Sequence, residues 1–317
     1  MMLDRSPLLG VDRLASLLEA GEHPMIVDVR WYLGKPGAGH AAYVEGHLPG
    51  AIFLDLDDDL ADPNGLGAPG RHPLPSPEAF RERMAAAGIG DGMRVIGYDD
   101  VGGWVAARLW WMLDDLGFGR RGIDGEWVGV LDGGIKAWVE AGHALETNVP
   151  AAPATPADLT LGDRWQGVIE RGDLRDRLGS VTLLDARGAP RYRGEVEPID
   201  PVAGHIPTAI SAPYDVNLDA GGRFLGPGAL RARYAELGID GDAAGDVVTS
   251  CGSGTSAAHH SLAMRVAGLP DPILYVGSYS DWSRSGEPVA TGPEPGPPPE
   301  PGPSPEPGPS PEPRRET

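Results

Sequence analysis

The run Val247-Val248-Thr249-Ser250-Cys251-Gly252-Ser253-Gly254-Thr255-Ser256-Ala257-Ala258-His259-His260 decides both the fold class and the chemistry. Its β-branched opening, with Asp246 in front, reads as a short buried strand. Residues 256–267 read as a helix stopped by Gly268. A strand, a tight small-residue loop and a helix form the repeating unit of a parallel α/β protein. The loop carries Cys251, the single cysteine of the chain. Backbone N–H groups converge there and the positive end of a helix dipole lies beside the sulfur, an arrangement that favours thiolate over thiol. A lone cysteine is more often a buried structural residue. That role needs no flexible loop, so Gly252 and Gly254 point instead to a reactive nucleophile.

Outward from this run, the chain proves to be an internal repeat. Residues 25–30 (MIVDVR) parallel 182–187 (TLLDAR), and 46–51 (GHLPGA) parallel 204–209 (GHIPTA). Residues 95–98 (VIGY) parallel 247–250 (VVTS), and 130–138 (VLDGGIKAW) parallel 274–282 (LYVGSYSDW). Each half alternates β-branched runs with helical stretches, such as 76–87, 105–116 and 167–178, which predicts an α/β fold with mostly parallel sheets. The repeat divides the chain into a first domain at 8–148, a Pro/Ala-rich linker at 149–160 and a second domain at 161–290. The repeat is asymmetric, because Asp99 falls opposite Cys251. The first half is therefore predicted to lack the nucleophile and to wall the cleft, with Trp104, Leu109, Trp110 and Trp111 packing, while the second half is catalytic.

Composition sets outer bounds. The 317 residues and 33.2 kDa suit two domains. A net charge of −20 argues against nucleic acid, which is bound mainly through cations on phosphate. There is no apolar stretch long enough to span a membrane and no secretion-signal pattern. One cysteine excludes an internal disulfide framework, fits a reducing cytoplasm, and leaves too few soft ligands for a structural zinc site. Residues 291–317 form a Pro/Glu/Gly-rich tail with 12 prolines between Pro293 and Pro313, expected to be disordered. A monomer is expected, since each domain already has an internal partner.

Ligands in parallel α/β sheets collect beyond the carboxyl ends of the strands. Arg187 follows a strand directly, and Arg191 and Arg193 come next on the loop. Guanidinium forks near a thiolate suit a carboxylate or a sulfur oxyanion. Alternatively, Arg187 pairs with Glu195 or Glu197 and only pins the loop. Asp28, Asp185, His47 and His205 occur in both halves and so read as structural. His259 and His260 lie more than two helical turns past the thiol, too far for a base. His72 has no counterpart in the second half and is a candidate for reaching into the cleft.

These residues resemble the tandem-domain rhodanese family of sulfurtransferases across residues 8–292. The motifs are VDVRWYLGKPG, GHLPGA, HPLP, AARLWWML and VLDGGIKAW, then LDARGAPRYRGEVEPID, GHIPTA, CGSGTSA and YVGSYSDW. The resemblance implies two tandem rhodanese-like domains and a sulfur-carrying Cys251. Neutral Gly252 and Ser253 look like the loop of 3-mercaptopyruvate sulfurtransferases, whereas thiosulfate-preferring members place cations after the cysteine. It further implies that Arg187 and Arg191 hold the donor, that Ser253, His72 and Asp57 act near the leaving group, and that the amides of Gly252, Gly254, Thr255, Ser256 and Ala257 cradle the transferred sulfur. The donor would be 3-mercaptopyruvate or thiosulfate, and the acceptor cyanide, a small thiol or a thioredoxin-like protein, with no cofactor and no metal. Thr208, Thr255, Ser256 and Tyr279 depart from the usual family residues. A cysteine phosphatase would need an arginine at position 257, and a serine hydrolase would need G-x-S-x-G. The remaining alternatives are a thiosulfate:cyanide sulfurtransferase using the same cysteine and a non-turnover persulfide carrier.

Overall fold

The hydrophobic runs that repeat between the halves become the strands of two parallel sheets in a computed structural model, which describes residues 6–62, 70–151, 153–241 and 247–299. The first half runs β1 (Leu8–Leu9), α1 (Val11–Glu19), β2 (Met25–Asp28), α2 (Ala38–Glu45), β3 (Ile52–Phe53), α3 (Pro77–Ala86), β4 (Arg94–Tyr98), α4 (Trp104–Asp115), β5 (Trp127–Leu131) and α5 (Gly134–Glu140). The second runs α6 (Arg171–Arg177), β6 (Thr182–Asp185), α7 (Ala189–Tyr192), β7 (Ile210–Ser211), α8 (Pro227–Glu236), β8 (Val247–Ser250), α9 (Ala257–Val266), β9 (Ile273–Leu274) and α10 (Ser278–Trp282). A 3₁₀ turn at Tyr214–Asn217 lies between β7 and α8. Asp246, expected to open β8, lies outside the described residues.

The strand orders are β1-β5-β4-β2-β3 and β7-β6-β8-β9, all parallel, so the second sheet repeats the last four strands of the first. The place of β1 is taken by a single parallel bridge, Val168 to Leu274. That bridge corrects the expected helix at 167–178. The Ile169 amide donates to the Leu274 carbonyl and the Leu274 amide to the Gly167 carbonyl, so these residues are extended and helix begins only at Arg171.

Helices α4 and α9 pack against each other and join the halves. Leu109, Trp110 and Met112 of α4 share one continuous core with Leu262, Ala263 and Met264 of α9. At its edge Arg265 lies 5.0 Å from the Trp110 ring centroid and 3.0 Å from the Asp114 carboxylate. The segment after the first half stays on it, with the Gly162 amide on the Leu116 carbonyl and Trp165 stacked on Trp111 at 5.8 Å. The chain also remains tied beyond residue 290. The Thr208 amide donates to the Pro295 carbonyl and His205 Nε2 meets the Glu294 carbonyl. The rest of the expected tail, 300–317, lies outside the described residues.

Candidate active site

In the second sheet the chain passes from β6 to β7 on one side and returns to β8 on the other. The crevice that such a reversal opens lies beyond the carboxyl ends of β6 and β8. Asp185 and Ser250 are paired there, and Cys251 follows immediately. Cys251 is buried at 1% exposure. Its amide donates to Ser278 Oγ at 3.0 Å, and the Gly254 amide donates to its sulfur at 3.1 Å. Gly254 has φ +80°, and a β-carbon there would sit 2.3 Å from the Val276 carbonyl oxygen, so the turn requires glycine. Among the described residues, the amides of Gly252, Ser253, Thr255, Ser256 and Ala257 have no acceptor, and the Gly254 amide is the one that donates to the sulfur.

The first half shows what such a loop accommodates. Asp99, at the position of Cys251, turns its carboxylate into its own loop. One oxygen accepts from the amides of Val101 and Gly103 at 2.9 and 2.8 Å, and the other from Val105 and Ala106 at 2.9 and 3.1 Å. Four N–H groups on one buried carboxylate make an anion nest. Burial pushes the Asp99 carboxyl up, and these four donors oppose that shift. The loop around Cys251 shares one left-handed turn with that loop, Gly254 at φ +80° against Gly102 at +82°.

Three expected residues meet across the domain boundary. His72 Nδ1 lies 2.7 Å from Ser253 Oγ, and His72 Nε2 lies 3.0 Å from Asp57 Oδ1. The Trp31 indole donates to the other Asp57 oxygen at 2.8 Å. Its hydrogen bond to His72 holds the Asp57 carboxyl below the usual range against partial burial. An ionised Asp57 places the proton on Nε2, leaving Nδ1 to accept from the Ser253 hydroxyl. The result is a hydroxyl–imidazole–carboxylate relay with its hydroxyl two residues from the sulfur. Thr255 Oγ1 is a second, longer neighbour of Nδ1 at 3.4 Å.

Arg191 stands at the cleft. Its Nε and Nη2 hold Glu197 at 3.2 and 2.7 Å, and Nη2 also reaches Asp200 at 3.2 Å. Arg187 makes the loop-pinning contacts of its alternative reading. Its Nη2 donates to Asp185 and to the Gly204 carbonyl, both at 2.7 Å, and its plane lies 3.8 Å from the Tyr279 ring centroid. Arg30 in the first half repeats the arrangement on Asp28 and the Gly46 carbonyl, also at 2.7 Å. Arg187 is thus a loop brace, with Glu197 at 3.5 Å from Nη1.

The remaining histidines are accounted for. His47 and His205 donate from Nδ1 at 2.8 Å to the carbonyls of Tyr43 and Tyr192 and stack on those rings. His259 and His260 are fully buried, and burial pushes them down to about 3 and about 4. No cluster able to hold a metal ion occurs among the described residues.

Four residues at the site were not singled out by sequence reasoning. Arg108 of α4 is fully buried and donates to the carbonyls of Leu60, His72 and Gly254, so it fastens the relay histidine to the cysteine loop. Burial pushes its guanidinium down to about 10, opposed by the charge of Cys251. Ser278 adopts φ +51° where the first half has Gly134 at +56°, a strained conformation for a serine that keeps its hydroxyl on the Cys251 amide. Arg71 and Asp200 form an ion pair across the cleft.

Comparison with known proteins fits this geometry. The rhodanese-like domain is matched twice, at residues 10–141 and 170–285. The chain belongs to the rhodanese family. Its fold is therefore two tandem rhodanese domains, each a parallel sheet flanked by helices. A probable 3-mercaptopyruvate sulfurtransferase of Pseudomonas aeruginosa is 43% identical over 293 residues, covering 92% of this chain and 100% of that protein. A putative thiosulfate sulfurtransferase of Mycobacterium tuberculosis, SseB, is 42% identical over 87% of this chain and 93% of its own. Among solved rhodanese structures, SseA of Escherichia coli, described as a 3-mercaptopyruvate sulfotransferase, superposes with TM-score 0.70 at 29% identity, covering 87% of this chain and 99% of that one.

Proposed function

We propose that this rhodanese is a sulfurtransferase that takes sulfur from 3-mercaptopyruvate onto Cys251 and passes it to a thiol or to cyanide. The observation that carries this reading is the Ser253–His72–Asp57 relay directed at a loop whose residues after the cysteine are uncharged. A thiosulfate donor leaves as sulfite and requires no proton on carbon. A mercaptopyruvate donor leaves as an enolate and does.

The Cys251 thiolate attacks the donor sulfur and forms the S–S bond. The C–S bond breaks, and its electron pair leaves on carbon as pyruvate enolate. The proton that the donor's thiol gives up is taken onto His72 Nδ1 through Ser253 and returned by Ser253 to the carbon as that charge develops. Arg191 faces the donor carboxylate. The amides from Gly252 to Ala257 cradle the outer sulfur, as the corresponding amides hold the Asp99 carboxylate in the first half. Cyanide or a thiolate then attacks the outer sulfur, leaves as thiocyanate or a new persulfide, and returns Cys251 as thiolate. A cytoplasmic thiol such as a thioredoxin-like protein suits the second step, with the enzyme acting as a monomer.

The test follows thiocyanate from both donors and pyruvate from mercaptopyruvate. A kcat/KM at least tenfold higher for mercaptopyruvate, about 1.4 kcal/mol, supports the assignment. A preference for thiosulfate would favour the second reading, to which the putative thiosulfate sulfurtransferase at 42% identity points. Persulfide formation without pyruvate release would indicate a carrier.

A further inference from the structure

The relay ends on a carboxylate that its own loop holds poorly. Asp57 lies in the run Asp55-Leu56-Asp57-Asp58-Asp59, and its side chain is half-exposed. Its amide donates to Asp55 at 2.8 Å, which fixes the backbone and leaves the carboxylate free to turn. The like charges of Asp55, Asp58 and Asp59 favour turning it outward, into water. Among the described residues, two side chains donate to it, one to each oxygen. His72 Nε2 lies on Oδ1 at 3.0 Å and Trp31 Nε1 on Oδ2 at 2.8 Å.

Trp31 is firmly seated. Helix α2 comes so close that a β-carbon on Gly39 would stand 1.8 Å from the Arg30 carbonyl oxygen and 3.4 Å from Trp31 Cα. The next residue, Tyr32, donates its hydroxyl to Asp100 at 2.7 Å. The indole meets the Trp104 ring at 6.0 Å and the His72 ring at 5.3 Å between centroids, with the planes 89° apart in both contacts. One side chain therefore orients the imidazole by edge contact and the carboxylate by a hydrogen bond. The repeat separates this task from folding. Arg187 braces the second domain as Arg30 braces the first, yet the residue after it is Gly188, at φ −57° with open space where a side chain would stand. The brace forms without an indole, and the domain that carries His72 and Asp57 is the one that has it.

We infer that Trp31 is the positioning residue of the relay: its N–H holds the Asp57 carboxylate in the orientation that keeps the His72 proton on Nε2 and leaves Nδ1 for Ser253. A turned Asp57 frees the imidazole to take the other tautomer. With its proton on Nδ1, His72 donates to the Ser253 hydroxyl and cannot accept from it. Trp31 acts through Asp57 and His72 and has no need to touch the donor. The inference rests on the proposed reaction for its kinetic consequence alone, since the tautomer belongs to the free enzyme.

Trp31→Phe keeps a ring against His72 and Trp104 and removes the N–H. Trp31→3-benzothienylalanine, which puts sulfur in place of the N–H within the same outline, serves if the phenylalanine variant does not fold. The first readout is the nitrogen-15 chemical shifts of the His72 ring at pH 8, assigned by their disappearance in His72→Gln. Wild type shows a protonated Nε2 and a bare Nδ1, and both Trp31 variants show the two tautomers mixed. The second readout is a double-mutant cycle on kcat with 3-mercaptopyruvate. Trp31→Phe alone lowers kcat about tenfold, with sulfur uptake from thiosulfate within about twofold, and adds less than about twofold to the loss in Asp57→Ala. An unchanged tautomer overturns the inference, as do independent, multiplying losses in the cycle or an equal loss with both donors. A mixed tautomer in the variants of an enzyme whose wild type releases no pyruvate would retain the positioning role and reject the donor.

Discussion

Replacing Ser253 with alanine isolates the relay. The hydroxyl lies 2.7 Å from His72 Nδ1, and His72 is held by Asp57 at 3.0 Å, so the alanine removes the terminal donor and leaves the histidine in place. Loss of one preorganised donor to a developing oxyanion costs about 3–4 kcal/mol, or about 100- to 1,000-fold in rate. The lower end applies here, because Thr255 Oγ1 at 3.4 Å from the same nitrogen offers a partial substitute. With 3-mercaptopyruvate, kcat is therefore expected to fall about 100-fold, about 2.7 kcal/mol, with KM within threefold because the carboxylate contacts lie on arginine. Release of sulfite from thiosulfate needs no carbon protonation, so that half-reaction stays within threefold, as does cyanolysis of the preformed persulfide. Stopped-flow measurement of each half-reaction separates these steps. An equal loss with both donors would mean that Ser253 shapes the loop and protonates nothing, and an unchanged kcat would remove the relay from the mechanism.

Cys251→Ser is expected to abolish persulfide formation, read by intact mass after donor treatment, with the melting temperature within a few degrees of wild type. Thr208 adopts φ +68° where the first half has Gly50 at +70°, and its buried Oγ1 has no partner among the described residues. Thr208→Gly should therefore stabilise the protein by about 1 kcal/mol, the relief of left-handed strain less the added freedom of the unfolded chain; a lower denaturation midpoint refutes this. His259 and His260 are held neutral at about 3 and about 4 against 6.5 unfolded, so the unfolded chain binds more protons below pH 6.5. Their contribution is complete above that pH, is lost as pH falls from about 6.5 toward 4, and amounts to about 3 kcal/mol for the pair by pH 5.5. His260→Gln should halve the difference in unfolding free energy between pH 7.5 and 5.5, whereas an equal difference in both proteins assigns the acid sensitivity elsewhere.

The tandem fold was legible because the same motifs recur in the same order, and the nucleophile because Cys251 sits in one continuous strand–loop–helix run. The relay was legible only through family resemblance, since Asp57, His72 and Ser253 come from distant parts of the chain. The bracing contacts of Arg187 were legible in the repeat: Arg30 follows Asp28 as Arg187 follows Asp185, and the same brace forms in both halves. Ser278 was likewise readable against Gly134, had the alignment been carried to single residues. Arg71 left no comparable trace. Its partner Asp200 lies 129 positions away across the cleft, and no periodicity or spacing relates the two.

The carboxylate of Asp99 fills the loop of the first domain with four hydrogen bonds, whereas the loop of the second domain spends one amide on the Cys251 sulfur and keeps the others for the sulfur that is loaded. The two halves therefore differ in cohesion through the catalytic cycle. One is saturated by its covalent structure, and the other is expected to gain hydrogen bonds as each persulfide forms and to lose them as it is discharged. Sulfur loading acts on the second half as a bound ligand would, so resistance to unfolding reports directly on the fraction of enzyme charged.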